Sequence, residues 1–215
     1  HQNLLRQGAV LVDPADEGVE PHLLFLLTHE IKSGDGQTLS KRLQFVRVEP
    51  DGSASFAGWA PHLDLQPLED ADRGRLRSVL EADWIHADLE QKALTLAAST
   101  LVPEHFKEVA ERRIAHVDKT LAAVHERLSK EIKFWTDRWM KLGEDQKAGK
   151  EVRLNLENAR RTVMDLEGRL ENRSRELKAM RHVASATPIA MGGALVVPIG
   201  LLHKLRGEAP TDGDA

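Results

Sequence analysis

The spacing of apolar residues changes character along this chain, and the change divides it. Near the start the apolar residues come in runs. His22-Leu23-Leu24-Phe25-Leu26-Leu27-Thr28-His29-Glu30-Ile31 is largely apolar and long enough for a buried strand. Ser33-Gly34-Asp35-Gly36 then signals a loop. Arg42-Leu43-Gln44-Phe45-Val46-Arg47-Val48-Glu49 is rich in β-branched and aromatic residues, and Pro50-Asp51-Gly52 is a tight-turn tripeptide. Ser53 to Trp59 follows as a third candidate strand, so an antiparallel meander of about three strands is expected. Val10-Leu11-Val12, ahead of Asp13-Pro14, adds a short edge strand.

From Leu68 the composition favours helix. Glu69 to Ala82 and Trp84 to Val102 lack internal glycine or proline apart from Gly74. Pro103 marks a boundary and suits the first turn of a new helix, with Glu104 close behind. The clearest signal comes next. Ile114, Val117, Leu121, Val124, Leu128, Ile132, Trp135, Trp139 and Leu142 are spaced three or four apart, a heptad seam with one stutter at Leu128. A second seam runs through Val152, Leu156, Ala159, Val163, Leu166, Leu170, Leu177 and Met180, with Arg173 the one interruption. The polar segment between them carries Gly143 and Gly149 and can reverse the chain. Two such seams and a short loop predict an antiparallel helical hairpin, roughly 50–60 Å long at ~1.5 Å per residue.

The last apolar run, Pro188 to Leu202, is shorter than the ~20 residues a membrane span needs and holds Pro188, Pro198 and three glycines. It reads as a buried strand at Ala194-Leu195-Val196-Val197 that returns to the N-terminal sheet, and no membrane partner is expected. The pattern as a whole predicts an α+β fold. An antiparallel β module takes residues 1–68 plus 186–203, connecting helices take 69–103, a coiled-coil helical hairpin takes 104–185, and 204–215 form a disordered tail.

Composition adds limits. The 215 residues are 41% apolar and 30% charged, as in an ordinary soluble chain of one or two domains. The absence of cysteine excludes disulfides and thiolate metal sites and fits a reducing compartment, so a cytoplasmic location is expected. The chain starts at His1 without an initiating Met, which reads as a cleaved tag or an arbitrary boundary, and the first residues do not have the form of a signal peptide. The net charge of −4 is unevenly spread: residues 1–103 carry −7, residues 104–182 carry +4 and residues 183–215 carry −1. Charge segregated in this way points to different neighbours for the two halves.

Catalytic signals are missing. No GxxxxGK[ST] loop, GxGxxG fingerprint, GxSxG elbow or HExxH pair occurs, and Gly192-Gly193 reads as a turn. His116 and His125 are nine apart and His22 and His29 seven apart, neither of them the i, i+4 spacing of a helical zinc site, so no metal is expected. Asp64 and Glu69 could be drawn as an acid–base pair, but nothing in the sequence brings them together. No residue is expected to be catalytic.

The remaining candidate is a basic stripe. At about 100° per residue, Arg112, Lys119, Arg127, Lys130, Arg138 and Lys141 fall on one side of the first seam helix, away from the seam. They could contact phosphates. Equally, Glu108, Glu126 and Asp137 each stand four residues before one of these cations, the order preferred on a solvated face. Trp135 and Trp139 fall on the seam, so phosphate contact without base stacking is expected.

Several stretches resemble a known family. Arg113-Ile114-Ala115-His116-Val117-Asp118-Lys119-Thr120 and Val124-His125-Glu126-Arg127-Leu128-Ser129-Lys130-Glu131-Ile132-Lys133-Phe134-Trp135 are similar to the region after the motor in large bacterial SNF2-like helicase-related proteins. That family includes the helicase of DISARM-type anti-phage defence. Ser40-Lys41-Arg42-Leu43-Gln44-Phe45-Val46, Gly58-Trp59-Ala60-Pro61-His62-Leu63-Asp64 and Gly192-Gly193-Ala194-Leu195-Val196-Val197-Pro198 resemble it too. The resemblance implies a C-terminal, non-catalytic accessory region of an ATP-driven DNA translocase. Its partners would be the motor domains of the same polypeptide and DNA, bound weakly and without sequence preference. ATP and Mg would be needed only by the motor, which this chain lacks. A structural protein–protein interaction module built on the hairpin is the alternative. Lacking a phosphate-binding loop, the purified chain is expected neither to bind nor to hydrolyse ATP; micromolar affinity in calorimetry, or turnover above background, would refute this.

Overall fold

The computed structural model describes residues 8–86 and 88–207, apart from the His86 side chain. In chain order the strands and helices are β1 (Ala9–Asp13), β2 (His22–Ser33), β3 (Thr38–Val48), β4 (Ala54–Phe56), β5 (Gln66–Pro67), α1 (Arg77–Leu80), α2 (Leu89–Leu96), α3 (Val102–Lys147), α4 (Arg153–Ala179), β6 (Val183–Ser185), β7 (Ile189–Pro198) and α5 (Ile199–Arg206). The fold class is α+β, as the apolar pattern predicts. Residues 1–7 of the expected β module and 208–215 of the expected tail lie outside the described residues. Lys204 to Arg206, expected in the tail, are instead the last turn of α5.

The strands form one sheet of order β4-β3-β2-β7-β1-β5, and β6 pairs with β2 off that path. The β2-β3-β4 meander follows the sequence expectation, with Val46 opposite Phe56 and Val48 opposite Ala54. The predicted return strand is β7, and it occupies the middle of the sheet. It runs antiparallel to β2, from His22 opposite Val196 to Thr28 opposite Ile189, with a register shift between Leu26 and Leu27. On its other side it runs parallel to β1, from Ala9 opposite Ala194 to Asp13 opposite Pro198.

Three expectations are corrected here. The sheet is not wholly antiparallel, and β1 is not an edge strand, because β5 pairs with its outer side through Leu11–Pro67 and Val12–Gln66. Local alternation cannot reveal a partner that lies about 185 residues further along the chain. Gly192 and Gly193 are not a turn either, since they lie within β7 opposite Leu26 and Phe25. A Cβ on Gly193 would stand 3.2 Å from the Phe25 ring, so glycine gives that ring its space.

Apolar packing covers the sheet in two clusters. Leu27, Val46 and Val48 pack with Leu89, Ala93, Ala97 and Leu101. Val12, Leu195 and Val197 pack with Leu76, Leu201 and Leu202. The segment from Glu69 to Ala82, expected as one helix, is broken into a 3₁₀ turn at Asp70–Asp72 and the single turn of α1. Asp72, in that 3₁₀ turn, is only 2% exposed and makes a bidentate pairing with Arg206, at 3.1 Å to Nε and 2.5 Å to Nη2.

Pro103 lies in the first turn of α3, as the sequence suggests, and the five residues Ala97–Leu101 ahead of it form a π-helical turn, continuous with α3, in which the Val102 N–H bonds the Ala97 carbonyl. Proline cannot donate to the ladder and its ring crowds the carbonyl four residues back, so a widened turn accommodates it. α3 ends in a Schellman motif: Gly149 has φ +85°, its N–H reaches the Gln146 carbonyl at 3.0 Å, and the Lys150 N–H reaches the Asp145 carbonyl at 3.0 Å.

The contacts divide the chain into two compact units. One gathers the residues up to Ile31, Thr38–Phe106 and those from Ser185 onward; the other gathers Lys32–Gln37 with Lys107–Ala184. In the second unit α3 and α4 run antiparallel. At one end Arg113 Nε donates to the Met180 carbonyl at 3.1 Å and Arg181 lies 3.5 Å from Asp118. Towards the other end the Leu156 side chain packs against Gly143. Val117 and Leu128 of α3 and Ala159, Val163 and Leu177 of α4 are buried, whereas most other seam residues are half-buried and Met180 is exposed. Leu177→Ala should therefore cost about 2–5 kcal/mol. Half-buried Leu121→Ala should cost clearly less. Urea denaturation of both variants checks the order, and equal costs would mean the two seam positions are packed alike.

Candidate nucleic-acid interface

α3 presents the predicted cations. Arg112, Lys119, Arg127, Lys130, Arg138 and Lys141 are all exposed on it. Three of them are engaged by carboxylates on the same helix: Arg112 with Glu108 at 2.7 Å, Lys130 with Glu126 at 2.6 Å and Arg127 with Glu131 at 3.1 Å. These i, i+4 pairs are solvent-exposed and individually weak, so an arriving phosphate could exchange with them at small cost. Arg127 also lines a groove of about 600 Å³ between the two helices, together with Arg169 and Arg173 of α4. Arg173 is in turn 2.8 Å from Glu176.

The expectation that this face lacks an exposed aromatic is corrected. Phe134 is 60% exposed. It follows Lys130 by four residues and precedes Arg138 by four, which places it in the middle of the basic stripe. The signal was present in the sequence, since Phe134 falls one position short of the seam residue Trp135. Its ring meets Trp135 edge-on, with centroids 5.6 Å apart and planes at 85°. The Arg138 guanidinium lies 5.7 Å from the centre of the same Trp135 ring.

Polar groups that sequence spacing could not connect meet inside the sheet unit. Leu27, His29 and Ile31 alternate onto one buried face of β2. His105, at the start of α3, approaches that face. Its Nδ1 lies 2.7 Å from His29 Nε2 and its Nε2 lies 2.8 Å from Ser40 Oγ. The linkage has the form of a hydroxyl–imidazole–imidazole relay. His105 and His29 are 1% and 2% exposed, however, so no substrate reaches the imidazoles, and the chain of hydrogen bonds serves to satisfy polar groups within the packing. Burial, the neighbouring His105 and Arg42 together hold the His29 pKa down to about 4. Asp72 is held below the ordinary carboxylate range, chiefly by its hydrogen bonds from Arg206. Asp13, His22, Arg47 and Asp64 line a separate cleft of about 340 Å³. Burial, then the charge of Arg47, lowers the His22 pKa.

Among the described residues no three His, Cys, Asp or Glu side chains are grouped to hold a metal, and no helix is long and apolar enough to cross a membrane. No family model matches the chain, and neither the curated proteins nor the solved structures contain a match to it.

The buried imidazole pair has a consequence for stability. His29 is neutral in the folded protein down to about pH 4 but takes up a proton near pH 6.5 once unfolded. Its contribution is therefore complete above pH 6.5 and is lost as the pH falls from 6.5 towards 4. His29→Gln removes that titration while keeping a hydrogen-bonding group opposite His105. Thermal melts between pH 4 and 7.5 should show a flatter profile for the variant; profiles of equal steepness would remove His29 as the cause.

Proposed function

We propose that this chain is a non-catalytic accessory region of a bacterial SNF2-like, ATP-dependent DNA translocase, with a cytoplasmic role in anti-phage defence. In this reading its helical pair contacts nucleic acid through the phosphate backbone, without sequence preference. The observation that carries the nucleic-acid part is the row of six exposed cations on α3, in a segment whose net charge is +4 while residues 1–103 carry −7. An acidic sheet unit repels phosphate, so the helical pair is the favoured approach. The resemblance of residues 113–135 supports the parentage. Carboxylates within the face reduce its field, so affinity is modest and steeply salt-dependent. Docking of a protein partner is the second reading, favoured by the exposed apolar side chains Met140, Leu154 and Met164 on the same two helices.

Duplex DNA titration at 50 and 200 mM salt tests the choice. The wild-type chain should bind at low salt and lose most of its affinity at the higher salt. Arg127→Glu combined with Lys130→Glu should weaken low-salt binding by about tenfold or more, with circular dichroism confirming that the helices persist. Absence of binding at low salt would leave protein docking as the function. Unchanged binding by the double variant would move the contact to another face.

A further inference from the structure

We infer that the basic face of α3 is a site for single-stranded nucleic acid, in which one base stacks on Phe134 while neighbouring phosphates lie on Lys130, Arg138 and Lys141. The inference rests on the nucleic-acid reading above and goes beyond it in naming the strand state and the residue that senses it. Isolated exposed apolar residues are common on protein surfaces, so exposure alone would carry nothing. Two features set Phe134 apart.

The first is its electrostatic setting. Residues 127–141 carry five basic side chains, Arg127, Lys130, Lys133, Arg138 and Lys141, against two acidic ones, Glu131 and Asp137. This is the densest excess of positive charge on the helix, and the exposed ring lies within it. A purely apolar partner would have to strip water from those cations to reach Phe134, whereas a polyanion with flat aromatic bases satisfies both kinds of group at once.

The second is that the ring has an aromatic neighbour. It meets Trp135 edge-on at 5.6 Å, and the Arg138 guanidinium lies 5.7 Å from the centre of the Trp135 ring. An aromatic side chain has few torsions to lose when a base settles on it, and this contact narrows them further. In a duplex the bases are stacked on one another and their faces are closed, so Phe134 has nothing to accept there. An unpaired base offers its face freely. The aromatic residue thus adds affinity for single strands only, while the cations act on both forms.

The experiment compares a fluorescein-labelled 20-nucleotide oligothymidine with a hairpin duplex of similar phosphate count, at several salt concentrations, using the whole chain. Stacking on an aromatic side chain contributes about 1–3 kcal/mol per base, so Phe134→Ala should weaken oligothymidine binding by about tenfold, leave duplex binding within twofold, and keep the salt slope unchanged. Phe134→Trp should restore the single-strand affinity. The high exposure of Phe134 means the alanine variant should melt at the wild-type temperature. If Phe134→Ala binds oligothymidine as wild type does, while Arg127→Glu with Lys130→Glu abolishes binding, the phosphate face stands and the stacking is overturned. If neither nucleic acid binds at low salt, the nucleic-acid reading and this inference fail together. Sedimentation showing a dimer that Phe134→Ala dissociates would instead assign the ring to a contact between two copies of the chain, and the inference would be wrong.

Discussion

β7 holds the central place in the sheet, hydrogen-bonded along one side to β2 and along the other to β1. Among the described residues, no other strand joins the N-terminal β1 to the β2-β3-β4 meander. Both faces of its last residues, Leu195 to Pro198, are buried, which explains why that stretch reads as a continuous apolar run rather than an alternating one. The sheet cannot be completed until residues 189–198 are in place, so its central pairings all have long sequence separation. They are slow to form for that reason, because loop closure must precede the contacts that reward it.

That placement constrains everything between β5 and β7. A chain that leaves the sheet unit near Phe106 and returns near Ser185 has to reverse once, and two helices of opposite direction are the simplest way to spend the interval. The antiparallel pair meets this requirement with a heptad-like apolar seam on each helix and a Schellman-terminated reversal at Gly149. The same economy is seen at Pro103, where a single π-helical turn absorbs a residue that would otherwise have ended the helix. Few side chains of the pair are buried, Val117 and Leu177 among them, and the others are half-buried along the seam or exposed. A long two-helix element of this kind offers little enclosed volume for chemistry but much surface for charge and exposed rings.

Polar groups follow the same division. Inside the sheet unit two sets of polar groups close on themselves: His29, His105 and Ser40 hydrogen-bond one another, and Asp72 is gripped by Arg206 and Arg75. The His29–His105, His105–Ser40 and Arg206–Asp72 contacts bring together side chains from distant parts of the chain around three buried groups, His29, His105 and Asp72. On α3 the charges are instead paired locally and weakly with carboxylates one turn away, in full contact with water. Buried pairs of the first kind resist exchange, whereas exposed pairs of the second kind can trade partners. The proposed contact with a polyanion rests on pairs of the second kind, on the exposed face of α3.

Much of this was legible in the order of residues alone. Period-3.5 seams, a glycine-bearing reversal, a hairpin meander and an apolar return strand are local patterns, and local patterns are what hydrophobic spacing records. The cations of α3 were legible too, since residues three, four or seven apart on a helix must share a side. Phe134 could have been found by the same arithmetic. What the tertiary structure alone decided was pairing at a distance. Nothing near Val10 says that its strand runs parallel to Leu195, nothing near His29 says that it meets His105, and nothing near Asp72 says that it pairs with Arg206. Such contacts arise from the closure of long loops and the burial of groups that then need partners, and neither leaves a periodic mark in the sequence.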